Sequence, residues 1–566
     1  MSSEKKNAQN FEQLNITADE HPKLWEPLTL ILSIILCVLG CIIGMELIIN
    51  TGVTANTSLV GAILAILISR IPITALMKFR SVHRQNLIQT SISGATFSIA
   101  NCMLLTCGIP VVMGAPELCV PMLIGATIAT CIDATILYKC FDTPMFPAEG
   151  AWPPGVACAE TILAVINKGK KAVLLLVGGG MGIVGKWLGL PMDLLGVSWF
   201  GNFGAMAGLG IGSMIIGFLK DNGIAFSLLG HKFVIWETAL GSSWDPSIIP
   251  VTYLGHGLMI GAGIVSLIQA GRMIFKKEDG EDSAASRFTS SMKDMKKAMG
   301  MGYIAYAVVA LVLAIVCGFL SKMSLPMFII WVLFAACAAL VSEMMVGVAA
   351  MHSGWFPGFA TAFVFLIIGM LIGFPKMPLG ILVAFTAATG PCFSDMGYDL
   401  KCGYILRGNG KDKELELVGR KQQYYSELLG FGIAFVMCLL FYHNYFDAGR
   451  FVAVSNTYKA TIEAGTTPEI AKWLIIWAIP GALIQALGKH RQIGILFATG
   501  ILVGSTINGL TVIIGLIIRV IVMRSKNGSR DEKEQTLNIL GAGALAGAAL
   551  YSFFTATVGL LKPKSK

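Results

Sequence analysis

The sequence predicts an all-α polytopic membrane protein with about 14 to 16 transmembrane helices, re-entrant hairpins and two related halves, an inverted repeat being the favoured relation. Three observations predict it. Of 566 residues, 55% are hydrophobic and only 13% charged, where soluble domains carry roughly 25% charged residues. Apolar runs of spanning length, about 20 residues, recur from Pro27 to Leu561. Between two of them, Phe141–Glu160 holds Pro144, Pro147, Pro153 and Pro154 together with Glu149 and Glu160. Lipid tolerates such a break only where protein or a water-filled cavity satisfies the freed backbone groups.

The elements follow in order. Spans are expected at Pro27–Asn50, Ser58–Met77, Leu87–Cys107 and Cys119–Leu137. After the proline-rich break comes a short apolar helix, Val156–Ile166, and then NKGKK. Basic residues at both ends, Lys139 and Lys168, Lys170 and Lys171, make Asp142–Asn167 a segment that dips in and returns to the same side. Apolar segments continue at Ala172–Leu190, Phe203–Phe218, Ile224–Leu240 and Ile249–Ile274. In the second half they lie at Tyr303–Leu320, Pro326–Ala350, Pro357–Gly373, Pro378–Thr389, Tyr425–Tyr442, Ile470–Leu487, Ile493–Val522 and Leu537–Leu561, with a basic loop at Lys401–Lys421.

This gives a domain plan. A cytoplasmic tail covers residues 1–26. A first transmembrane repeat covers 27–275, with its re-entrant hairpin near 142–167. A cytoplasmic linker covers 276–300, and a second repeat covers 301–562, with a hairpin near 447–468. The tail is polar and lacks the apolar core of a signal peptide. Lys78, Arg80 and Arg84 follow the second span, so the N-terminus is expected in the cytoplasm. The repeat is read at an offset of 305: Leu123–Ala148 lies over Leu428–Ala453 with eight of 26 positions identical, FDTPMFPA over FDAGRFVA included.

Composition also excludes. The net charge of +9 gathers in short segments between spans, which is topology and not nucleic-acid binding. The 13 cysteines are scattered without a CxxC pair or a Cys/His cluster, so no metal site is expected. HExxH, GxSxG and a Walker lysine loop are absent, so neither catalysis nor a cofactor is expected.

Ionisable and polar residues inside spans are the functional candidates. Glu160 follows the Pro-Pro break in apolar surroundings and is the preferred proton site, with Glu149 and Glu427 as further coupling candidates. Asn86, Gln89, Thr90 and Ser93 recur at helical spacing and make one polar face. Asp395, Tyr398, Asp399, Lys401 and Tyr404 form a second polar stretch. Phe146, Pro147, Glu149, Trp152 and Gly155 in the break, with Asn456 and Tyr458 in its repeat partner, complete the expected substrate path. The half-helix after Pro154 would offer backbone N–H groups to a peptide carboxylate. Asp133 and Glu343 each interrupt an apolar run, and nothing in the sequence names their partners.

Four stretches carry a family resemblance. RQNLIQT, MFPAEGAWPPGVACAETI, FSDMGYDLKCGYIL and KQQYYSELLG together resemble signatures of the oligopeptide transporter family, in a bacterial member. That family's plant branch includes the yellow-stripe metal-chelate transporters. The Asp-x-x-x-Asp-x-Lys-x-Gly-Tyr spacing, here Asp395, Asp399, Lys401, Gly403 and Tyr404, is the most specific match. Departures are Ala148–Glu149 and Trp152–Pro154 where relatives carry Ser-Gly-Thr-Ala, and Cys402 where Thr is usual.

The resemblance implies proton-coupled import of small oligopeptides or peptide-like compounds across the bacterial inner membrane. Protons, substrate and lipid are the expected partners, a homodimer is compatible with the sequence, and nucleic acid is not expected. A metal-chelate or glutathione-type carrier on the same scaffold is the alternative within transport. An intramembrane lipid-modifying enzyme is the alternative of another class.

Overall fold

The computed structural model describes residues 16–51, 61–62, 65, 74–166, 170–201, 203–221, 223–228, 231–237, 253–275, 288–354, 356–465, 468–488, 493–525 and 529–561. Ten helices among them are long and apolar enough to cross a membrane, and four further apolar helices are shorter. Most of the expected span at Ser58–Met77 and all of the first part of the linker, 276–287, lie outside the described residues.

The chain opens with α1 (Pro27–Thr51). Next comes α2 (Val82–Phe97), which passes through a π-helical segment, Ser98–Leu104, into α3 (Leu105–Val112). α4 (Cys119–Cys140) follows, then a loop, then α5 (Pro153–Ile166), α6 (Lys170–Trp187), α7 (Met192–Phe200) and α8 (Phe203–Asp221). Two strands, β1 (Gly223–Leu228) and β2 (His231–Glu237), pair antiparallel. α9 (Leu254–Phe275), α10 (Met292–Val316), α11 (Leu325–Ser353) and α12 (Gly358–Ile372) come next. α13 (Lys376–Ala387) and α14 (Pro391–Leu406) are two halves of one broken span. α15 (Lys413–Phe446), α16 (Ala453–Ala464), α17 (Pro468–Gly488), α18 (Ile493–Val503), α19 (Thr506–Arg524) and α20 (Arg530–Leu561) complete the fold.

Several expected boundaries move, each for a local reason. The apolar segment Ile224–Leu240 is a hairpin over Gly223–Glu237. His231 and Lys232 cut it into pieces too short to span, and both pieces are rich in aromatic and β-branched residues. The run Ile493–Val522 divides at Gly504–Ser505, where Ser505 Oγ accepts the Asn508 N–H at 3.4 Å and starts a new helix. The basic loop Lys401–Lys421 shrinks to a few residues. α14 continues through Lys401, and Asp412 caps α15 by accepting the Glu414 and Leu415 N–H groups at 3.0 Å. The linker read over 276–300 is helical from Met292, where Ser291 and Asp294 form a capping box.

The same order of elements occurs around both FD pairs. A long helix, α4 or α15, ends beside Phe141 or Phe446, and a loop leads to a short helix, α5 or α16. With 14 and 12 residues, these short helices reach only about 21 and 18 Å, less than a hydrocarbon core of about 30 Å. An interrupted 31-residue span stands before each long helix, Val82–Val112 in one case and Lys376–Leu406 in the other. The two interruptions meet: Cys102 Sγ, in the π segment, lies 3.4 Å from Cys392 Sγ, just past the α13–α14 break.

Small residues set the closest helix contacts. In α6 and α20, Gly178, Gly182, Gly543 and Gly547 press backbone on backbone, and a Cβ on Gly182 would stand 2.2 Å from Ala544 O. Such spacing is how apolar helices associate where no hydrophobic difference from lipid drives them together.

Candidate functional site

α2 is polar yet almost wholly buried. A polar helix in that position must find partners for its side chains, and it finds them on α14 and α15. Asn86 Nδ2 lies 3.6 Å from Cys402 Sγ, Gln89 Nε2 donates to Asp399 Oδ1 at 2.6 Å, and Ser93 Oγ donates to Asp395 at 2.9 Å. Each step forward along α2 is matched by an equal step back along α14, so the two helices run antiparallel. Asn86 also supports Gln89, donating to its Oε1 at 3.0 Å. Gln423 on α15 locks the triangle of helices, donating to Thr90 Oγ1 at 3.2 Å and to the Asp399 carbonyl at 2.6 Å.

Asp395 and Asp399 lie one turn apart on α14, and Glu427 reaches toward them from α15. One carboxylate oxygen from each of these three buried residues lies within 4.8 Å of the other two. The Glu427 carboxyl meets that of Asp399, and no nitrogen or hydroxyl donor among the described residues reaches either of its oxygens. Gly94 makes room for this carboxylate, since a Cβ there would stand 2.9 Å from Glu427 Cδ.

A second acidic group sits at the α13–α14 break. Asp133, on α4, accepts the N–H of Gly390 at 3.0 Å and of Phe393 at 2.7 Å, capping the start of α14. Its carboxyl also meets that of Glu343 on α11. Tyr306, on α10, donates to Glu343 Oε2 at 2.5 Å. All three side chains are fully buried. Four elements therefore converge on a single backbone turn, where Gly390 takes φ 97°.

The loop between α4 and α5 packs onto α14. Trp152 is fully buried; its N–H donates to Met351 O at 2.8 Å and its Nε1 to Pro147 O at 3.2 Å. Its ring covers Gly397, where a Cβ would stand 2.1 Å from Trp152 Cζ3, and lies 6.3 Å from the Tyr398 ring. Phe146 is buried 5.1 Å from the Phe393 ring. Gly155 brings α5 against the Tyr398 carbonyl, and Lys401 Nζ donates to Ala148 O at 2.7 Å. The expected display of N–H groups by this half-helix is not what forms. Pro153 and Pro154 have none, and those of Gly155 and Val156 both go to Trp152 O.

The sequence-predicted residues therefore fall into separate places. Asn86, Gln89, Thr90, Asp395, Asp399 and Glu427 come together. Phe146, Pro147, Trp152, Gly155, Tyr398 and Lys401 form the seam between the loop and α14. Tyr404 carries the Lys401 ammonium over its ring at 5.4 Å. Glu149 is exposed, and Glu160 is half-buried on α5, two residues past Cys158, whose Sγ lies 3.3 Å from Cys402 Sγ. Asn456 is exposed, and Tyr458 lies against α12, donating to Phe359 O at 3.1 Å.

Several residues of the site escaped the sequence reading. Arg407 grips Glu416 through two bonds, 2.8 and 3.1 Å, and Gln423 Oε1 at 2.8 Å. Arg420 reaches Glu416 at 3.3 Å, Phe141 O and Thr289. The Glu416–Arg420 spacing of four is the signal that was available. The N-terminal segment closes over this end. Leu24 N donates to Gln422 Oε1 at 3.0 Å, Glu26 pairs with Arg84, and the His21 ring lies 5.4 Å from that of His83. Burial, helped by the Arg407 and His83 charges, pushes His21 down to about 3. Burial pulls Glu26 up, but the Arg84 hydrogen bond and charge outweigh it and hold the carboxyl below its usual range.

Spanning helices around a buried core of carboxylates, amides and paired arginines define an integral membrane transporter, since such groups inside a membrane mark a transport path. Residues 27–558 match the family described as OPT oligopeptide transporter protein. The chain belongs to that family, which consists of transporters of oligopeptides and peptide-like compounds and not of enzymes. Comparison with curated proteins returns no match.

Proposed function

We propose that the protein imports small peptides or peptide-like compounds across a bacterial cytoplasmic membrane, driven by protons. The observation that carries the proton part is the contact between Asp133 and Glu343. Two carboxyls that touch inside a helix bundle attract only when one proton lies between them. Asp133 suits the ionised role, because three N–H···O contacts converge on it at a helix start. Glu343 then carries the proton toward Asp133, and Tyr306 donates to its other side. Loss of the proton sets two anions face to face and loosens the cap on α14. Substrate binding on the face that α14 carries is thereby tied to proton occupancy at its N-terminus.

Glu160 is the second coupling candidate, on the short helix that packs against α14. The test is uptake of labelled di- and tripeptides into proteoliposomes under an imposed pH gradient. Glu343→Gln is expected to lower gradient-driven uptake at least about 100-fold, the lower end of the scale of a lost proton-transfer group, with peptide binding retained. Full pH-driven uptake by Glu343→Gln would remove the pair from coupling, and the same assay on Glu160→Gln then decides the second candidate. Competition by glutathione and by metal chelates identifies the cargo class.

A further inference from the structure

We propose that Asp395, Asp399 and Glu427 form a binding site for one hard, calcium-sized cation. The site is distinct from the Asp133–Glu343 pair and does not depend on which ion drives uptake. Three carboxylates at most 1% exposed stand with oxygens within 4.8 Å of one another. Burying a carboxylate without a counter-charge or donor is strongly unfavourable. Glu427 is the sharpest case: its side chain is fully buried and aimed at the other two, its carboxyl meets only the Asp399 carboxyl, and no nitrogen or hydroxyl donor among the described residues reaches either oxygen.

The nearby cationic side chains are engaged elsewhere. Arg407 and Arg420 both hold Glu416, and Lys401 holds the Ala148 carbonyl. Donors from α2 orient the two aspartates. Gln89 fixes Asp399 at 2.6 Å, and Ser93 fixes Asp395 from 2.9 and 3.0 Å. Hydrogen bonds of this kind hold metal ligands in place in established sites.

Size and donor type select the ion. A triangle of oxygens with edges up to 4.8 Å has its centre no more than about 2.8 Å from each corner, and small closure brings this to the roughly 2.3–2.6 Å of calcium–oxygen bonds. Magnesium requires about 2.1 Å and a regular octahedron. All three ligands are carboxylates, which disfavours soft ions that select sulfur. Three negative charges favour a divalent over a monovalent ion. The bound cation would tie α14 to α15.

The experiment uses full-length protein in detergent after chelator treatment. Calcium, magnesium, manganese, sodium and potassium chlorides are added separately, with thermal unfolding and equilibrium dialysis of radioactive calcium as readouts. Calcium is expected to bind at one ion per chain and to raise the unfolding temperature by about 3 °C at saturation. Sodium and magnesium are expected to do neither at equal concentration. Glu427→Gln should abolish the calcium response while raising the metal-free unfolding temperature, because it relieves the repulsion. Gln89→Ala should weaken calcium about 10- to 100-fold, and Glu343→Gln should leave it unchanged. No saturable calcium binding by wild type, or an undiminished response in Glu427→Gln, overturns the proposal. A cluster neutralised by protons alone gives the first of these results.

Discussion

Gln89 and Asp399, 310 residues apart in the chain, share a hydrogen bond of 2.6 Å in the buried centre of the protein. The bond joins the polar first half of one interrupted span to the polar second half of the other. Replacing Gln89 by Met keeps the volume and removes the donor. The expected cost is about 1–3 kcal/mol, because a buried carboxylate loses a partner. A thermal-unfolding double-mutant cycle with Asp399→Leu should return a coupling of about 1–3 kcal/mol, the range for residues in one network.

Gly94 is expected to tolerate no side chain while Glu427 is present. A Cβ would lie 2.9 Å from Glu427 Cδ, and overpacking of that kind costs about 1–3 kcal/mol. Gly94→Ala should lower thermal stability, and Gly94→Ala with Glu427→Ala should recover most of the loss. An equal loss in both proteins would show that the crowding lies elsewhere.

Gly390 faces two separate demands. Its φ of 97° disfavours any other residue, and a Cβ would stand 2.9 Å from Val346 Cγ2. Gly390→Ala should therefore destabilise by more than about 1 kcal/mol and abolish uptake. Val346→Ala in the same protein should restore part of the stability, the part due to contact, and leave the backbone strain.

Acid should loosen the N-terminal segment. The His21 imidazole titrates near 6.5 when unfolded and near 3 when folded. Between these values the unfolded chain binds a proton that the folded chain does not. Its contribution is complete above pH 6.5 and is lost as pH falls toward 3, at up to about 1.4 kcal/mol per pH unit. His21→Gln should flatten the pH dependence of unfolding in this window, and a curve unchanged by the substitution would show that His21 does not control it.

The legible parts of the fold and site were those with a local signature. Long apolar runs marked the spans, and Asn86, Gln89, Asp395 and Asp399 stood out as polar residues at helical spacing on an apolar background. The FD pairs marked the ends of α4 and α15. Pairings across the chain left no local trace. Asp133 and Glu343 were visible as isolated acids, but their contact closes a separation of 210 residues. Trp152 and Phe146 stood out because they sit among prolines, but their burial against Gly397, Tyr398 and Phe393 of α14 was not readable from their neighbours in the chain. The hairpin at Gly223–Glu237 shows how apolarity alone leaves helix and strand undecided when a run is short.

The meeting of Cys102 and Cys392 has a mechanical consequence. Two helices with unrelated flaws would bend at different heights and jam one another. Here both weak points lie side by side, so they make one crease through the molecule. On one side of it α2 and α14 are laced together by amides and carboxylates, so bending at the crease is expected to move them as a single flap. On the other, α3 and α13 pack on each other and on α4 and α16. A short membrane-permeable bis-methanethiosulfonate, which joins two thiols with loss of a sulfinate at each end, should link Cys102 to Cys392, pin the crease and stop uptake, leaving the flap intact but unable to turn.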